Sequence, residues 1–263
     1  MKFFSNTEFT VVFLLYSFHF LSACSDHHEF NYDEGTERGP SRWGMLKSKW
    51  ETCSTGREQS PIDIGTVQVS SRPRDLQRNY RPAEAVLRNR TEDVAVVFLG
   101  DAGNITINGM VYKAANCHWH SPSEHTFNGT RYPLEIHVVH HSDENKTAVV
   151  GILYRYSLLP DLFIASILPA ILFLGREDIP LGFINPETVG FPNSDYYRYN
   201  GSLTTPPCTE NVTWTVFKEV KTVTRFEVEA LRRVLPPQNR NNSRPTQPLN
   251  DRTVLLYPRR SFT

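Results

Sequence analysis

The chain has no excess of charge of either sign and no apolar run long enough to span a bilayer comfortably. Its 28 Lys and Arg residues balance 28 Asp and Glu residues, so the formal net charge is zero. A zero balance gives no long-range attraction to nucleic acid, and we expect no nucleic-acid partner. The chain also lacks repeats, low-complexity blocks and a linker, so its folded part is expected to be one domain.

The N-terminus has the layout of a secretory signal peptide. Lys2 precedes an apolar run from Val11 to Leu21, and the small residues Ser22 and Ala23 follow it. We expect residues 1–25 to be removed and residues 26–263 to form the mature domain. A membrane anchor is the alternative, but the run is short for a bilayer, so no transmembrane segment is expected in the mature chain. The expected location is the secretory pathway, either extracellular or in an organelle reached through it.

Sequons and cysteines agree with an oxidising compartment. Seven Asn-x-Ser/Thr motifs suggest a glycoprotein. Cys24 lies at the predicted cleavage site, and two of the other three cysteines are expected to pair, although the sequence leaves open which two. The predicted glycosylation sites are Asn89, Asn104, Asn128, Asn145 and Asn211, and two further sequons begin at Asn200 and Asn241.

Turn residues recur at short intervals and separate short runs of β-forming residues, which is typical of an antiparallel β architecture. A helix is predicted near the C-terminus, capped by Thr224 and with an apolar stripe of Phe226, Ala230, Leu231 and Val234. The predicted strands are Val94 to Leu99, Asn104 to Ile107, Ile136 to His140, Ala148 to Tyr154 and Val212 to Phe217.

The segment Asn116-Cys117-His118-Trp119-His120 carries the first candidate metal ligands. Side chains alternate between the two faces of a strand, so His118 and His120 would share one face with Asn116. Cys117 and Trp119 would lie on the other. Two imidazoles at this spacing can converge on one metal ion. Alone the pair is weak evidence, since two ordinary strand histidines have the same spacing.

A second segment, Leu134 to Val139, supplies a third imidazole. If it pairs antiparallel with the first strand, His137 can complete a site of three histidines. Three neutral imidazoles leave tetrahedral zinc one open position, as in catalytic sites. Glu135 shares the face of His137 and could accept the remaining ring proton of a ligand histidine. His140 is expected on the opposite face as a structural residue, and His141 toward the rim.

These segments resemble the α-class carbonic anhydrases, particularly the plant members. The resemblance runs from about Phe30 to Leu256. It implies a mainly β (α+β) single domain around a large twisted, mostly antiparallel β-sheet with a few short peripheral helices. The matching segments are Cys117 to Thr126, Glu135 to His140, Gln59 to Ile64, Gly201 to Cys208 and Arg244 to Pro248.

The resemblance also implies an activity, the reversible hydration of CO2 to bicarbonate and a proton. Thr204 and Glu124 match the pair that orients the attacking oxygen, and Thr205 matches a substrate and anion position. From the residues alone, Glu124 could equally be a surface carboxylate. The implied cofactor is Zn2+, and its implied ligands are His118, His120 and His137.

Further positions follow from the resemblance. It implies a disulfide between Cys53 and Cys208, which would leave Cys117 free. Supporting roles around the metal and its solvent fall on Glu135, Asn116, Tyr32 and Tyr199. The implied apolar wall that receives CO2, which could otherwise be plain core, is Val139, Val149, Leu203 and Trp214.

Two positions depart from the family pattern. Glu92 stands at the proton-shuttle position, where histidine is usual, and Asn116 stands where a longer glutamine is usual. As a rim residue, Glu92 is expected to be mostly solvated, with a pKa near 4.3 and far from the value near 7 that suits a shuttle. We therefore expect a slowed enzyme. The alternative is a non-enzymatic storage or defence glycoprotein on the same fold, although the intact ligand set argues against it. Ester hydrolysis would be a side activity.

The segment Leu162 to Leu174 is unusually apolar and carries no charge. The corresponding family segment is typically a surface helix with polar residues. The segment is too short to span a membrane. It either forms a helix that is buried more deeply than usual or exposes an apolar patch that mediates self-association.

Overall fold

The computed structural model describes residues 29–259, and the predicted signal peptide lies outside the described residues. Within this range, no helix is long and apolar enough to cross a membrane. The α-helices are α1 (Trp43–Leu46), α2 (Thr52–Thr55), α3 (Leu162–Phe173) and α4 (Arg225–Val234). The strands are β1 (Asp63–Ile64), β2 (Gln68–Val69), β3 (Gln77–Tyr80), β4 (Ala83–Asn89), β5 (Val94–Phe98), β6 (Gly103–Ile107), β7 (Met110–His120), β8 (Thr126–Phe127), β9 (Thr130–Arg131), β10 (Leu134–His141), β11 (Thr147–Tyr156), β12 (Ile179–Ile184), β13 (Tyr196–Ser202), β14 (Glu210–Phe217), β15 (Lys221–Val223) and β16 (Leu255–Tyr257).

A 13-stranded, mixed but mostly antiparallel sheet dominates the fold, which confirms the predicted class. Its main path is β12-β4-β5-β7-β10-β11-β14-β13-β16-β2, and β3, β6 and β15 join it at the side. The parallel pairs in this sheet are β11 with β14, β11 with β15, and β16 with β2. The five predicted strands correspond to β5, β6, β10, β11 and β14. Asn108 and Gly109 make the tight turn between β6 and β7, with φ angles of 50° and 79°.

Both faces of the sheet are covered. Helices α3 and α4 contribute to the larger core on one face, where Trp119 stacks on Phe163 at a ring distance of 5.9 Å. A second core on the other face includes Val139, Tyr199 and Trp214. Because both faces are covered, β10 is buried along nearly its whole length instead of alternating. The side chains of β7 and β10 are therefore carried by a strand pair that is packed on both faces.

Helix α4 begins where it was predicted but buries a different face. Thr224 caps it by accepting a hydrogen bond from the N–H of Glu227, whose side chain accepts from the N–H of Thr224. Glu227 also accepts from the N–H of Asp161 and is buried. Drawing Glu227 inward turns its neighbour Phe226 outward, so the predicted stripe is wrong at Phe226, which is 58% exposed. The apolar residues on the buried face are Val228, Ala230 and Leu231.

Helix α3 buries one apolar face and leaves other apolar residues exposed. Its N-cap Asp161 accepts a hydrogen bond from the N–H of Ile164 at 3.0 Å. Its outward face remains apolar, since Leu162 is 81% and Phe173 is 85% exposed. The buried residues of its inner face are Phe163, Ile164, Ile167 and Ile171.

One disulfide, between Cys53 and Cys208, ties α2 to the loop that follows β13. Cys117 is buried and forms no disulfide with another cysteine of residues 29–259. The pairing that the family resemblance implied is therefore confirmed, and it fits an oxidising compartment. The loop after β13, which the disulfide holds at Cys208, also carries Thr204 and Thr205.

Candidate metal centre

Three histidines meet where β7 pairs antiparallel with β10, as the sequence predicted. The register places His118 directly opposite His137, and His120 lies two residues further along β7. Each of the three offers one ring nitrogen, and these nitrogens all lie within 4.8 Å of one another. Their ring centroids are 4.6 to 5.3 Å apart. The convergence is the arrangement that three metal ligands require.

Hydrogen bonds to oxygens that can only accept fix the tautomers of two of these histidines. His137 donates from Nε2 to Glu135 Oε1 at 2.9 Å, so its Nδ1 carries the free lone pair. His120 donates from Nδ1 to the backbone oxygen of Asn242 at 2.6 Å, which leaves Nε2 free. His120 Nε2 is buried and has no hydrogen-bond partner among the described residues. A buried polar atom without a partner lowers the stability of the fold by about 1–3 kcal/mol, and a bound metal ion would supply the missing partner.

His118 is held in the same way by Asn116. Nδ1 of His118 lies 3.1 Å from Oδ1 of Asn116, so the shorter side chain still reaches the imidazole. Burial lowers the pKa of His118 well below its usual value, and the nearby Arg90 lowers it further. Burial also lowers the pKa of His137, against the opposing effect of Glu135. Neutral imidazoles with free lone pairs are the form that zinc binds, so the residues present fit the metal.

Glu135 organises a buried group behind the three ligands. Its Oε1 accepts from His137 and from His125 Nδ1 at 2.7 Å, and its Oε2 accepts from the N–H groups of Glu124 and His125 at 2.8 Å each. Burial alone would raise the pKa of Glu135, but His125 and His137 hold it well below its usual value. His125, Glu135 and His137 also each offer one possible ligand atom, and these atoms lie within 4.8 Å of one another. Because Glu135 already pairs with both imidazoles, we assign Glu135 and His125 to support, and of these three residues only His137 to metal binding.

An open cavity of about 240 Å³ lies over His118 and His137. The four residues expected to form the CO2 wall all line it, and three of them are buried while Leu203 is partly exposed. Thr204, Thr205, Asn116 and Glu92 line it as well. The structure therefore brings the wall residues and these four further positions together around one cavity. The wall residues are Val139, Val149, Leu203 and Trp214.

Glu124 is fully buried close to the ligands. Its Oε1 accepts from the N–H of Arg244 at 2.9 Å, and its Oε2 has no hydrogen-bond partner among the residues that the structure describes. Its carboxylate oxygens lie 3.6 Å from His120 Nδ1 and 3.9 Å from His137 Nδ1. None of the hydrogen bonds within residues 29–259 joins Glu124 to Thr204. Thr204 thus lines the cavity and Glu124 lies buried beside the ligands, with one carboxylate oxygen unpaired among the described residues.

Glu92 lies on the cavity wall but is less solvated than expected. It is partly buried, and its Oε2 accepts from the hydroxyl of Thr91 at 3.0 Å. Burial, followed by the neighbouring Asp93, raises the pKa of Glu92 above its usual value. The expectation of an unperturbed, mostly solvated carboxylate is therefore wrong. His141 also lines the cavity, is exposed, and contacts the Thr147 hydroxyl through Nδ1 at 3.1 Å.

Tyr32 and Tyr199 differ in their contacts. Tyr199 donates its hydroxyl proton to His125 Nε2 at 2.7 Å and lies 2.9 Å from the hydroxyl of Ser60. It thus extends the chain of hydrogen bonds that begins at Glu135 and His125. The hydroxyl of Tyr32 is buried and has no partner within the described range.

Sequence reasoning gave no role to two residues that hold the ligands in place. Asn242 accepts from His120 through its backbone oxygen and from the N–H of Ser121 through Oδ1, and its amide donates to the backbone oxygens of Glu92 and Trp119. His125 was part of a matching segment, without a role. Asn242 lies 122 residues beyond His120, and no local spacing signals such a contact.

The predicted glycosylation sites differ in exposure. Asn128, Asn145 and Asn211 are exposed, and Asn104 is partly buried. Asn89 is partly buried, and its Nδ2 donates to the backbone oxygen of Val234 at 3.2 Å. The first three are therefore the most accessible of the five sites.

Comparisons with known proteins agree with this geometry. A sequence model of the eukaryotic-type carbonic anhydrases matches residues 38–258. Alpha carbonic anhydrase 4 of Arabidopsis thaliana is 45% identical over 240 residues, which cover 91% of this chain and 90% of that protein. A crystal structure of dioscorin complexed with ascorbate superposes with a TM-score of 0.86 at 41% identity and covers 89% of this chain and all of that one. A structure of an α-carbonic anhydrase from Thermovibrio ammonificans in complex with sulfanilamide superposes with a TM-score of 0.78 at 34% identity. The match covers 86% of this chain and 98% of that one.

Proposed function

The chain belongs to the eukaryotic-type, or α-class, carbonic anhydrase family, and on that basis we propose that it is a zinc enzyme that reversibly hydrates CO2 to bicarbonate and a proton. One observation carries the proposal. His118, His120 and His137 present three convergent ring nitrogens beside an open cavity that His118 and His137 line, and each second nitrogen is held by an oxygen acceptor.

Bound by these residues, zinc would lower the pKa of a water molecule to about 7, which makes hydroxide available at neutral pH. The protein's own residues supply the remaining requirements. Val139, Val149 and Trp214 offer CO2 an apolar surface next to the ligands. Glu124, whose Oε2 is unpaired among the described residues, would accept a hydrogen bond from the Thr204 hydroxyl and so orient the threonine oxygen. Thr205 would contact the anionic product.

The finer features of the expected protein are proposals of the same kind. Secretion and glycosylation agree with the disulfide between Cys53 and Cys208 and with the exposed sequons. Proton export would be slowed because Glu92 replaces a histidine. Self-association through the outward face of α3 is supported by the exposed Leu162 and Phe173.

A second candidate function is that of a storage or defence glycoprotein. The similarity to dioscorin favours it, and so does the presence of Glu92 at the shuttle position. The intact set of three histidines favours the enzyme, because storage alone requires no such geometry. Zinc content and CO2 hydration together distinguish the two candidates.

The test compares His137→Ala with His141→Ala. His137 is a proposed ligand, whereas His141 lines the same cavity without belonging to the triad. We expect about one zinc per chain in the wild type and in His141→Ala, and loss of both zinc and hydration in His137→Ala. A zinc-free wild type would support the storage candidate. Near-normal hydration by His137→Ala with verified metal content would refute the ligand assignment.

A further inference from the structure

A second cleft lies on the face of the main sheet opposite the metal cavity. Tyr199 and Trp214 belong to the core on the metal side. Their neighbours in β13 and β14, Arg198 and Thr213, therefore face the other way. There they help to line a cleft of about 460 Å³. This volume falls within the range of small-molecule sites, roughly 300–1,000 Å³.

The cleft has apolar side chains from two separate strands. Met110 and Tyr112 come from β7, and Leu255 and Tyr257 come from β16. Both tyrosines are buried. Surfaces of this kind suit the flat carbon body of a small organic molecule.

The charged residues that line the cleft are all basic, namely Arg72, Lys146 and Arg198. Two of them have acidic partners that lie outside the lining. Lys146 is 3.1 Å from Glu144, and Arg198 is 3.2 Å from Asp75. The guanidinium of Arg72 makes no hydrogen bond or ion pair within residues 29–259. The cleft therefore retains one unpaired positive charge.

Arg198 also has an unused donor. It is 6% exposed, its Nε donates to the Thr215 hydroxyl at 2.9 Å, and its Nη1 donates to Asp75 Oδ2. Its Nη2 is buried and has no hydrogen-bond partner in the described part of the chain. Buried guanidinium nitrogens are normally paired, and Arg198 is one of the residues that line the cleft.

We propose that this cleft binds a small organic carboxylate. The carboxylate pairs with Arg72 and with the guanidinium of Arg198, while the apolar part of the ligand lies against Tyr112 and Leu255. Guanidinium groups match carboxylates in geometry as well as charge. The site is separate from the metal cavity and does not depend on the proposed hydration activity.

Benzoate is the probe, and benzyl alcohol is its neutral counterpart. The full chain is labelled at its methionine methyl groups and titrated by NMR. Met110 lines the cleft, whereas the exposed Met45 lies outside it and serves as an internal reference. We expect benzoate to shift the Met110 signal saturably and to leave Met45 unchanged. Binding of benzoate at the metal would leave Met110 unchanged, so this readout separates the two sites.

Charge reversal tests the role of Arg72. We expect Arg72→Glu to weaken benzoate binding about tenfold, and Arg81→Glu, at an exposed arginine outside the cleft, to change it less than about twofold. Benzyl alcohol should bind at least about tenfold more weakly than benzoate. The proposal is overturned if Met110 does not respond at ~10 mM benzoate, if both probes bind equally, or if Arg72→Glu binds as well as the wild type.

Discussion

The amide oxygen of Asn116 lies 3.1 Å from Nδ1 of His118, so a side chain one methylene shorter than glutamine still holds this candidate ligand. Hydrogen-bonding partners of ligand histidines commonly contribute 10- to 100-fold to metal affinity. We therefore expect Asn116→Ala to weaken zinc binding by about 10- to 100-fold. Competition with a chelator of known affinity measures the change. Asn116→Gln is the control and should bind zinc nearly as well as the wild type, and equal affinity in Asn116→Ala would contradict the role.

The disulfide between Cys53 and Cys208 closes a loop with a sequence separation of 155 residues. For a loop of this length the chain-entropy model gives about 5 kcal/mol, an upper figure, and typical measured losses are about 2–5 kcal/mol. We expect the double variant Cys53→Ser/Cys208→Ser to lose stability in this range, measured by urea unfolding.

Burial raises the pKa of Cys117, so this thiol should resist alkylation in the native protein. Rapid labelling of Cys117 under native conditions would contradict its burial.

The outward face of α3 is expected to mediate self-association. Phe173 and Leu162 are the most useful positions to change, because neither belongs to the buried face of the helix. We expect Leu162→Lys/Phe173→Lys to reduce association at high concentration without loss of fold, as measured by sedimentation velocity. Val69→Lys, at an exposed apolar residue on β2, is the control. A wild type that stays monomeric over the same concentrations would remove this proposal.

The faces of β7 could be predicted because side chains alternate along a strand, and this pattern is local in the sequence. Alternation along β7 placed His118 and His120 on one face with Asn116, and the structure shows Cys117 and Trp119 in the core on the other face. The sequence left the pairing with a second β-rich segment as a condition, and the structure meets it, since β10 pairs antiparallel with β7. Two periodicities and one turn are enough to bring the three histidines together.

Other features depend on contacts that no local pattern encodes. His120 is oriented by Asn242, and Glu124 by Arg244, across 122 and 120 residues respectively. Phe226 was placed on the buried face of α4 because periodicity counts apolar residues. A pattern of apolar residues does not predict that the capping carboxylate of Glu227 is buried. Likewise, the solvation of Glu92 depends on how its segment folds against the cavity and not on its own identity.

Glu92 gives the fold a pH dependence with a definite sign. Burial raises its folded pKa above the unfolded value of about 4.3. Its contribution to stability is therefore full below the unfolded pKa and is lost as the pH rises through the folded pKa. We expect Glu92→Gln, which cannot ionise, to gain stability relative to the wild type across this window and then to keep a constant advantage. Urea unfolding from about pH 4 to 8 measures this difference, and parallel pH profiles would contradict it.

The same residue should make turnover depend on buffer. A proton acceptor works best with a pKa near 7, and a raised glutamate pKa narrows the gap to that value. We still expect imidazole to accelerate wild-type CO2 hydration strongly, and Glu92→His to be faster and less sensitive to imidazole. His141 also lines the cavity, so His141→Ala is measured in parallel. If wild-type turnover is already fast and indifferent to imidazole, Glu92 is not the limiting group. A buffer dependence that appears only in His141→Ala would then assign proton transfer to that imidazole.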